Sequence, residues 1–463
     1  MTSRLAKTNS EFLTFRPKYT SDTSKLVHHV QAAVDWEATH GLLLKAPKIE
    51  GQLIGDESSV GWLDSALIPA PVSFAPSPVP RKEFEKVVLL QPILNQLFDK
   101  ISQDHEFLTS TLESIGSADE FTARIFSMYM KLHDLNATKP GVIGIHRSDY
   151  LIHAPEGEPG ASPKAKQVEF NTIAASFASL SSIVGDFHRY MLARTGYKDL
   201  LESGAISEEQ LPENESLTSI GDAIAAGFDL YSNKDAVVVM IVQPGERNVF
   251  DQRWVEKRLW ERHQIKVVRL SFAEVHDKCA INSSGRLLID GKEIAVAYYR
   301  SGYAPTDFPS EKEWDEEAAR VRECFVGLYP LDGSAEGQQA YADAVSSPAS
   351  YVVKPQREGG GYNTYGEDIP ALLDGLLEEE RKAYILMDLI RAPGFKNVLL
   401  REGKLVSSEV VSELGIYGLW VRGADGRVIV NKHGGHLLRT KASDVYEGGV
   451  AAGFAVIDSP LLV

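Results

Sequence analysis

The chain has 463 residues with 43% hydrophobic and 9% aromatic content, which is typical of a globular protein of two or three domains. Its formal net charge of −16, without any basic tract, disfavours binding to nucleic acid or to an anionic membrane. Two cysteines are too few for a disulfide framework, and the N-terminus lacks the apolar stretch of a signal peptide. We therefore expect a cytoplasmic protein that does not bind membranes.

Helical periodicity dominates the first third of the chain. The expected elements are helices at 87–101, 121–132 and 176–192 and a strand at 167–175. Alternation along that strand places Glu169 and Asn171 on one face. A Pro- and Ser-rich passage at 69–80 is interpreted as a surface loop.

The middle of the chain predicts a β-α-β unit followed by a hairpin. The expected elements are strands at 236–242, 266–270 and 294–300, a helix at 250–263 and a turn at Asp290-Gly291. The last of these strands delivers Arg300 and Tyr303 at its end, where ligands of open α/β sheets usually bind. A strand at 384–388 and turns at Glu402-Gly403 and Asp425-Gly426 predict an antiparallel meander beyond.

The segment 352–363 is the most informative part of the chain, because an apolar strand runs into a cationic loop with three consecutive glycines. Without Cβ atoms at 359–361, the backbone can approach a polyphosphate closely. Lys354 and Arg357 add positive charge, and Glu358 can hold a divalent cation. The sequence matches neither G-x-x-x-x-G-K-[ST] nor G-x-G-x-x-G, which disfavours a P-loop or a dinucleotide site. We predict a loop that closes over a nucleotide.

Seven segments, in the same order, closely resemble the eukaryotic-type glutathione synthetases of the ATP-grasp superfamily. They are Arg147-Ser148-Asp149-Tyr150, Glu169-Phe170-Asn171-Thr172-Ile173, Glu246-Arg247-Asn248-Val249-Phe250-Asp251-Gln252, Arg300-Ser301-Gly302-Tyr303, 354–361, Ser412-Glu413-Leu414-Gly415-Ile416 and His436-Leu437-Leu438-Arg439-Thr440-Lys441. The resemblance extends from about residue 86 to the C-terminus. It implies a cytosolic homodimer that joins γ-glutamylcysteine to glycine with ATP and magnesium.

The resemblance also implies a fold of the α/β (α+β) class. It is a circularly permuted ATP-grasp core built from 1–232 and 331–463, with a β-α-β substrate-binding domain inserted at 233–330. The C-terminal part is expected to form an antiparallel sheet and to carry the glycine-rich lid.

Site residues follow from the resemblance position by position. The expected metal ligands, for two magnesium ions, are Glu169, Asn171 and Glu358. The expected ATP-binding residues are Glu169, Lys354, Glu358, Gly359, Gly360, Gly361, Tyr362, Asn363, Tyr365, Met387, Asp388, Leu389, Ile390, Glu413, Lys441 and Glu447. The expected substrate-binding residues are Arg147, Ser176, Glu246, Asn248, Gln252, Arg300, Tyr303, Arg439, Val450 and Ala451.

Arg147 and Arg439 are the expected catalytic residues. Amide formation from a carboxylate requires activation, which the family achieves through an acyl phosphate that the amine of glycine then attacks. A guanidinium offers a planar fork of donors to carboxylate or phosphate, so both arginines can position substrate and stabilise developing charge.

One segment departs from the family pattern. After Tyr303 the family continues through a helical segment with a Gly-Thr-Lys-Lys-type motif, one lysine of which approaches ATP, whereas here 304–324 lead directly to Phe325. Loss of an ammonium bonded to phosphate costs on the order of 1.5–3 kcal/mol. Four alternatives stay open: an active ligase, a catalytically impaired or binding-only homologue, a ligase for another acceptor amino acid, and an incomplete gene model.

Overall fold

The computed structural model describes residues 26–46, 66–116, 120–134, 141–154, 162–195, 206–304, 307, 329–331, 334–355, 362–445, 449–451 and 453–463. Its helices are α1 Val27–Thr39, α2 Arg81–Gln103, α3 His105–Gly116, α4 Glu120–Asp134, α5 Ala178–Thr195, α6 Ser216–Asp229, α7 Val249–His263, α8 Phe272–Lys278, α9 Ala335–Ser346, α10 Asp368–Gly375 and α11 Glu378–Arg381. Across these segments, none of the helices combines the length and the apolarity needed to span a bilayer.

The strands belong to several separate sheets. They are β1 Leu43–Lys45, β2 Leu67–Pro69, β3 Val72–Ser73, β4 Ser77–Val79, β5 Val142–His153, β6 Lys164–Asn171, β7 Val237–Ile241, β8 Val267–Leu270, β9 Cys279–Ile281, β10 Leu287–Ile289, β11 Lys292–Tyr299, β12 Tyr329–Pro330, β13 Tyr351–Pro355, β14 Thr364–Tyr365, β15 Tyr384–Asp388, β16 Phe395–Arg401, β17 Lys404–Arg422, β18 Val428–Ala442, β19 Ala455–Asp458 and β20 Pro460–Leu462.

The largest sheet has the order β16-β3-β19-β18-β17-β5-β6, and its pairs are antiparallel except for β19 with β3. Side chains alternate across β17. Leu414 and Ile416 pack with Phe84 and Val87 of α2 on one face, while Tyr417 belongs to the main core that α5 and α6 cover on the other. The central strands therefore lie between two helical layers. Because Leu414 and Ile416 face α2, the alternate residues Glu413 and Gly415 lie on the opposite face of β17, on the side of Tyr417.

A second sheet confirms the predicted β-α-β unit. Its order is β8-β7-β11-β10-β9, with β7 parallel to both β8 and β11 and with α7 connecting β7 to β8. All of β7 is buried, as expected for a strand that is covered on both faces. The hairpin at Asp290-Gly291 is also confirmed, since β10 and β11 pair antiparallel around it.

A smaller sheet with the order β12-β15-β13-β14 carries the strand that enters the glycine-rich segment. Val353 of β13 and Leu386 of β15 pack with Ile369 and Leu373 of α10 in a core of their own. The glycine-rich segment itself, at 356–361, lies outside the described residues, as does most of the shortened junction at 304–324. The predicted domain bounds stay a prediction.

The predicted helices and the strand at 384–388 are confirmed, but two expectations need correction. The strand expected at 167–175 ends at Asn171, and α5 begins only at Ala178, because Ala174 and Phe177 have φ angles of +53° and +69° that neither a strand nor a helix accommodates. These residues turn the chain in an irregular loop at 172–177.

The interpretation of 69–80 as a surface loop is wrong. The passage contains β3 and β4, which pair with β16 and β20, and its residues from 72 to 80 are buried. The Ser77 hydroxyl is hydrogen-bonded inside the protein, donating to the Asp458 carboxylate. Pro and Ser residues are usually exposed, which is why the composition of this segment predicted a loop. Here short strand pairings and buried acceptors satisfy the hydrogen-bonding groups of the segment, so it can lie in the core.

Candidate active site

Four adjacent strands, in the order β18-β17-β5-β6, bring predicted site residues to one face of the largest sheet. Several of them lie opposite a polar residue on the next strand. The cross-strand pairs are Arg147–Asn171 and Asp149–Glu169 between β5 and β6, and Glu413–Arg439 between β17 and β18. The predicted common face of Glu169 and Asn171 is confirmed, since the Asn171 amide donates to Glu169 Oε1 at 3.2 Å.

Gly415 leaves the space that these side chains occupy. It lies opposite Asp149 on the neighbouring strand. A Cβ atom at Gly415 would lie 2.8 Å from both Arg147 Cδ and Asp149 Oδ1, closer than ordinary packing allows. The absence of a side chain at this position therefore allows Arg147 and Asp149 to lie across β17.

Asp149 is fully buried and accepts four hydrogen bonds. Arg147 donates through Nε at 2.7 Å and Nη2 at 2.8 Å, Asn171 Nδ2 at 3.1 Å and Arg439 Nη2 at 3.1 Å. Burial alone favours the neutral carboxyl, but the charges of Arg147 and Arg439 outweigh it and lower the pKa of Asp149. The carboxylate is thus ionised and binds both predicted catalytic arginines.

Glu169 and Glu413 complete an acidic cluster with Asp149, because one oxygen of each lies within 4.8 Å of the others. Glu413 accepts a hydrogen bond from Arg439. Glu169 is exposed to solvent, yet partial desolvation by the surrounding protein, followed by repulsion from Asp149 and Glu413, raises its pKa. Crowded carboxylate oxygens are donors of the type that a hard divalent cation prefers, so the acidic cluster fits magnesium, with the Asn171 amide next to Glu169.

Lys354 reaches this cluster from the small sheet. Its Nζ lies 3.5 Å from the carbonyl oxygen of Val168, beside Glu169 on β6. The lysine charge acts on Glu169 in the opposite direction to the neighbouring carboxylates, since it favours the ionised form. Lys441 lies on β18 opposite Val411, two residues beyond Arg439.

The structure describes only some of the residues that the resemblance places next to the nucleotide. Glu358, Gly359, Gly360, Gly361 and Glu447 lie outside the described residues. Tyr362 is exposed, and the Asn363 amide donates to the Tyr365 hydroxyl at 3.3 Å. At the end of β15, Met387 is buried, Asp388 is exposed, and Leu389 and Ile390 are half-buried. Met387 and Asp388 form the end of β15 that lies opposite the start of β13, since Asp388 pairs with Tyr351, whereas the glycine-rich segment follows Pro355, which lies opposite Tyr384.

A second group of predicted residues gathers around Asp251 at the start of α7. Its carboxylate accepts from the backbone N–H of Phe177 at 2.9 Å and of Ser179 at 2.8 Å, and from Arg300 Nη1 at 3.1 Å. Asp251 and Arg300 are both buried, with side-chain exposures of 1% and 3%. One carboxylate therefore joins the loop at 172–177 to the strand end that carries Arg300.

Buried polar atoms in this group lack partners among the described residues. They are Nδ2 and Oδ1 of Asn248, Nε2 of Gln252 and Nε of Arg300. The Gln252 oxygen is occupied, because Arg269 Nη2 donates to it at 2.5 Å, which leaves the amide N–H groups as the available ones. Unpaired buried donors and acceptors are costly, and a polar ligand would satisfy them.

Ser176 connects the two groups. Its carbonyl oxygen accepts from Arg147 Nη1 at 3.3 Å and from the Tyr417 hydroxyl at 2.7 Å. The next residue, Phe177, is bound to Asp251. The carboxylate cluster and the second group, which contains Asp251 and Arg300 and is called the Arg300 group below, are therefore linked through a single turn of backbone.

The remaining predicted residues lie around the same loops. Glu246 accepts from the backbone N–H of Asn248 at 2.7 Å, and the Tyr303 hydroxyl donates to Gln243 at 3.2 Å. Val450 is buried.

The Ala451 carbonyl accepts a hydrogen bond from Arg247 Nη1, while Arg247 Nε donates to the Lys45 carbonyl at 3.1 Å. Arg401 donates to the carbonyls of Gly453 and Phe454, each at 2.8 Å. The loop at 449–454 is thus fastened at two points.

Sequence reasoning assigned no role to Asp149, Asp251 or Arg269. For Asp149 a signal existed, since it follows Arg147 by two residues on a strand and must share its face. Asp251 lies inside a recognised segment, but its partners in 172–180 are distant in sequence. Arg269 carries no local signal, because its contact with Gln252 depends on how α7 packs beside β8.

A family model described as "Eukaryotic glutathione synthase, ATP binding domain" matches residues 23–462. The chain belongs to the eukaryotic glutathione synthase family. By this membership it is an ATP-dependent ligase of glutathione biosynthesis.

Relatives in this family align over nearly the whole chain. Glutathione synthetase of Xenopus laevis is 37% identical over 468 residues, covering 91% of this chain and 96% of the relative. The Homo sapiens enzyme is 36% identical over 485 residues, with coverages of 95% and 97%. The chloroplastic enzyme of Solanum lycopersicum is 34% identical over 485 residues, with coverages of 94% and 86%.

Among solved structures, a glutathione synthetase-like effector from Globodera pallida is similar in fold. Its TM-score is 0.68 at 20% sequence identity, and the match covers 95% of this chain and 97% of the effector. The mixed α/β architecture described above therefore matches a glutathione synthetase-like fold.

Proposed function

We propose that this chain joins γ-L-glutamyl-L-cysteine to glycine through an acyl phosphate, with ATP as co-substrate. The observation that carries the proposal is the linked arrangement of two clusters. A carboxylate cluster suited to a cation lies next to Arg147 and Arg439, and buried unpaired polar atoms lie around Arg300. The carboxylate cluster suits a nucleotide and its metal, and the surroundings of Arg300 suit a small polar peptide.

The reaction balances as two displacements. The carboxylate of the cysteine residue attacks the γ-phosphorus of ATP, and ADP leaves with the electrons of the broken P–O bond. The nitrogen of glycine then attacks the acyl carbon, phosphate departs, and the nitrogen loses a proton. Glutathione, ADP and phosphate are the products.

Arg147 and Arg439 have the roles closest to the reacting atoms. Both are held by Asp149, so their forks are oriented before substrate binds and little reorganisation is needed. Their charges would stabilise the transferring phosphoryl group and the carboxylate that attacks it. Lys354, with Lys441 on β18, would hold the other phosphates.

The dipeptide would occupy the Arg300 group. Arg300 suits a carboxylate, the Asn248 amide supplies a donor and an acceptor, and the Gln252 N–H groups supply further donors. Glu246, Ser176 and Tyr303 line the same loops. Val450 and Ala451 would close the glycine side, because their loop is fastened to the dipeptide side through Arg247.

Glu169 and Asn171, together with Glu358, would hold two magnesium ions, which neutralise charge on the phosphates when bound. Gly359, Gly360, Gly361, Tyr362, Asn363 and Tyr365 would cover the nucleotide. Met387 and Ile390 would give apolar contact to the adenine, with Asp388 and Leu389 beside it, and Glu413 and Glu447 would reach the nucleotide from the other side.

Family membership supports a circularly permuted ATP-grasp fold with the β-α-β unit as its inserted substrate-binding domain. We propose the bounds 1–232, 233–330 and 331–463 for its parts. By the same reasoning the protein works in the cytoplasm as a homodimer. Size-exclusion chromatography with light scattering tests the dimer directly.

Phosphate release by the purified chain tests the function. The assay contains ATP, magnesium, γ-glutamylcysteine and glycine, each is omitted in turn, and mass spectrometry identifies the product. Dependence on all four, with tripeptide formed, supports the proposal and makes the lysine segment missing at 304–324 dispensable. A folded protein that binds ATP without turnover refutes it in favour of an impaired homologue. Faster turnover with β-alanine or serine than with glycine identifies another acceptor.

A further inference from the structure

Donors from three neighbouring side chains occupy most of the Asp149 carboxylate. Oδ1 takes the Arg147 Nε donor, and Oδ2 takes donors from Arg147, Asn171 and Arg439. Oδ2, with three donors at 2.8–3.1 Å, is saturated, while Oδ1 accepts one hydrogen bond at 2.7 Å. Although one of its oxygens lies within 4.8 Å of one oxygen each of Glu169 and Glu413, the Asp149 carboxylate is thus engaged mainly in holding the two arginines and Asn171.

The contacts of Asn171 fix the direction of its amide. Its Nδ2 lies 3.1 Å from Asp149 Oδ2, 3.2 Å from Glu169 Oε1 and 3.4 Å from the Arg147 carbonyl oxygen. All three neighbours are acceptors, so the NH2 group must face them. The Asn171 oxygen, the only atom of this amide that can ligate a hard cation, is consequently turned away from them.

We propose that Asp149 is a positioning residue that orients Arg147, Arg439 and Asn171 together, so that cation binding and carboxylate binding depend on one buried group. This inference rests on the proposed function. Asp149 touches no substrate and acts through the groups it holds. Loss of its charge would release the arginine forks and allow the Asn171 amide to turn its nitrogen towards the cation.

The same sheet offers a matched control. Asp99 of α2 forms a buried ion pair with Arg422 of β17, with Nε to carboxylate distances of 3.0 and 3.2 Å. The two side chains are 6% and 8% exposed, similar to the 1% and 5% of Asp149 and Arg147. Among the residues that the structure describes, the carboxylate of Asp99 binds only Gln103 and Arg422, neither of them a predicted site residue. D99N therefore removes the same kind of buried charge without touching the site.

The experiment compares wild type, D149N and D99N, using Mg²⁺-dependent glutathione formation and binding of Mn²⁺ to the ATP complex by electron paramagnetic resonance. D149N is expected to raise the Mg²⁺ concentration for half-maximal activity and the Mn²⁺ dissociation constant by about 10- to 100-fold, the range found when the partner of a metal ligand is removed. It should also raise KM for γ-glutamylcysteine. D99N should leave all three within about threefold, whatever its melting temperature.

D149E is the second variant, because it keeps the charge that compensates both arginines and moves the carboxylate by one methylene. It is expected to fold and to weaken Mn²⁺ binding in the same direction. Wild-type Mn²⁺ binding in a folded D149N or D149E protein overturns the inference, as does an equal effect of D99N. If wild type forms no glutathione, the proposed function fails, while Mn²⁺ binding still decides the role of Asp149.

Discussion

The carboxylate of Asp251 is expected to control both stability and dipeptide binding, which the D251N substitution tests. This side chain accepts two short backbone hydrogen bonds from the start of α5 and compensates the charge of Arg300. It also holds Phe177 at a φ of +69°, a conformation that a non-glycine residue keeps only when its surroundings enforce it. The amide of D251N would be neutral and would direct N–H groups at one of these donors.

The magnitude follows from burial. Arg300 is 3% exposed, so in D251N its charge stays buried without its hydrogen-bonded counter-ion, which typically costs about 3–5 kcal/mol. The loop at 172–177 loses its anchor at the same time. Since Ser176 and Arg300 both belong to the proposed dipeptide subsite, we expect KM for γ-glutamylcysteine to rise by about tenfold or more, corresponding to ~1.4 kcal/mol of binding free energy.

Urea unfolding, followed by tryptophan fluorescence, measures the first quantity, and initial rates measure the second. D222N is the control, because Asp222 forms a partly exposed ion pair with Arg262 whose loss should change the free energy of unfolding by less than about 1 kcal/mol. A D251N protein within about 1 kcal/mol of wild type, with unchanged KM for the dipeptide, would refute the assignment of Asp251 as the link.

Three further predictions concern other parts of the protein. R269M leaves the Gln252 amide unoriented, so KM for γ-glutamylcysteine should rise by about tenfold; an unchanged value contradicts this. Burial lowers the pKa of His188 from 6.5 to about 4, so the folded protein keeps the neutral imidazole while the unfolded chain takes up a proton below pH 6.5. The stabilisation by neutral His188 is therefore fully present above pH 6.5 and is lost as the pH falls towards 4. Between pH 7.5 and 5 the free energy of unfolding should fall by about 2 kcal/mol through this group. Urea titrations of H188Q should lack this part of the fall, and the same pH dependence in wild type and H188Q would exclude the effect. R401M frees the loop at 449–454 and should raise KM for glycine severalfold, whereas an equal KM removes this loop from the glycine side.

Local patterns were sufficient for much of the fold. The β-α-β unit, the hairpin at Asp290-Gly291 and the strand at 384–388 are confirmed, because buried runs, helical periodicity and turn residues act over short distances. The common face of Glu169 and Asn171 was predictable from alternation alone. Segment 69–80 was not predictable, because its burial depends on pairing with β16 and β20 at the far end of the chain.

The site was predictable as a set of residues but not as a connected structure. Resemblance assigned Arg147, Arg439 and Asn171, but their common partner Asp149 depends on β5 lying between β17 and β6. That order involves strands more than two hundred residues apart, which no local pattern encodes. The link through Asp251 to Arg300 has the same origin, since it depends on the packing of α7 against the loop that precedes α5.

The transfer of ¹⁸O from the dipeptide carboxylate to phosphate is the most direct test of the proposal that this site activates the carboxylate by phosphorylation. γ-Glutamylcysteine labelled in the carboxylate of cysteine is incubated with ATP, magnesium and glycine, and the phosphate and tripeptide are analysed by mass spectrometry. The account predicts one ¹⁸O atom in phosphate for every glutathione formed. Unlabelled phosphate, or phosphate released without tripeptide, would contradict it and leave only hydrolysis of ATP.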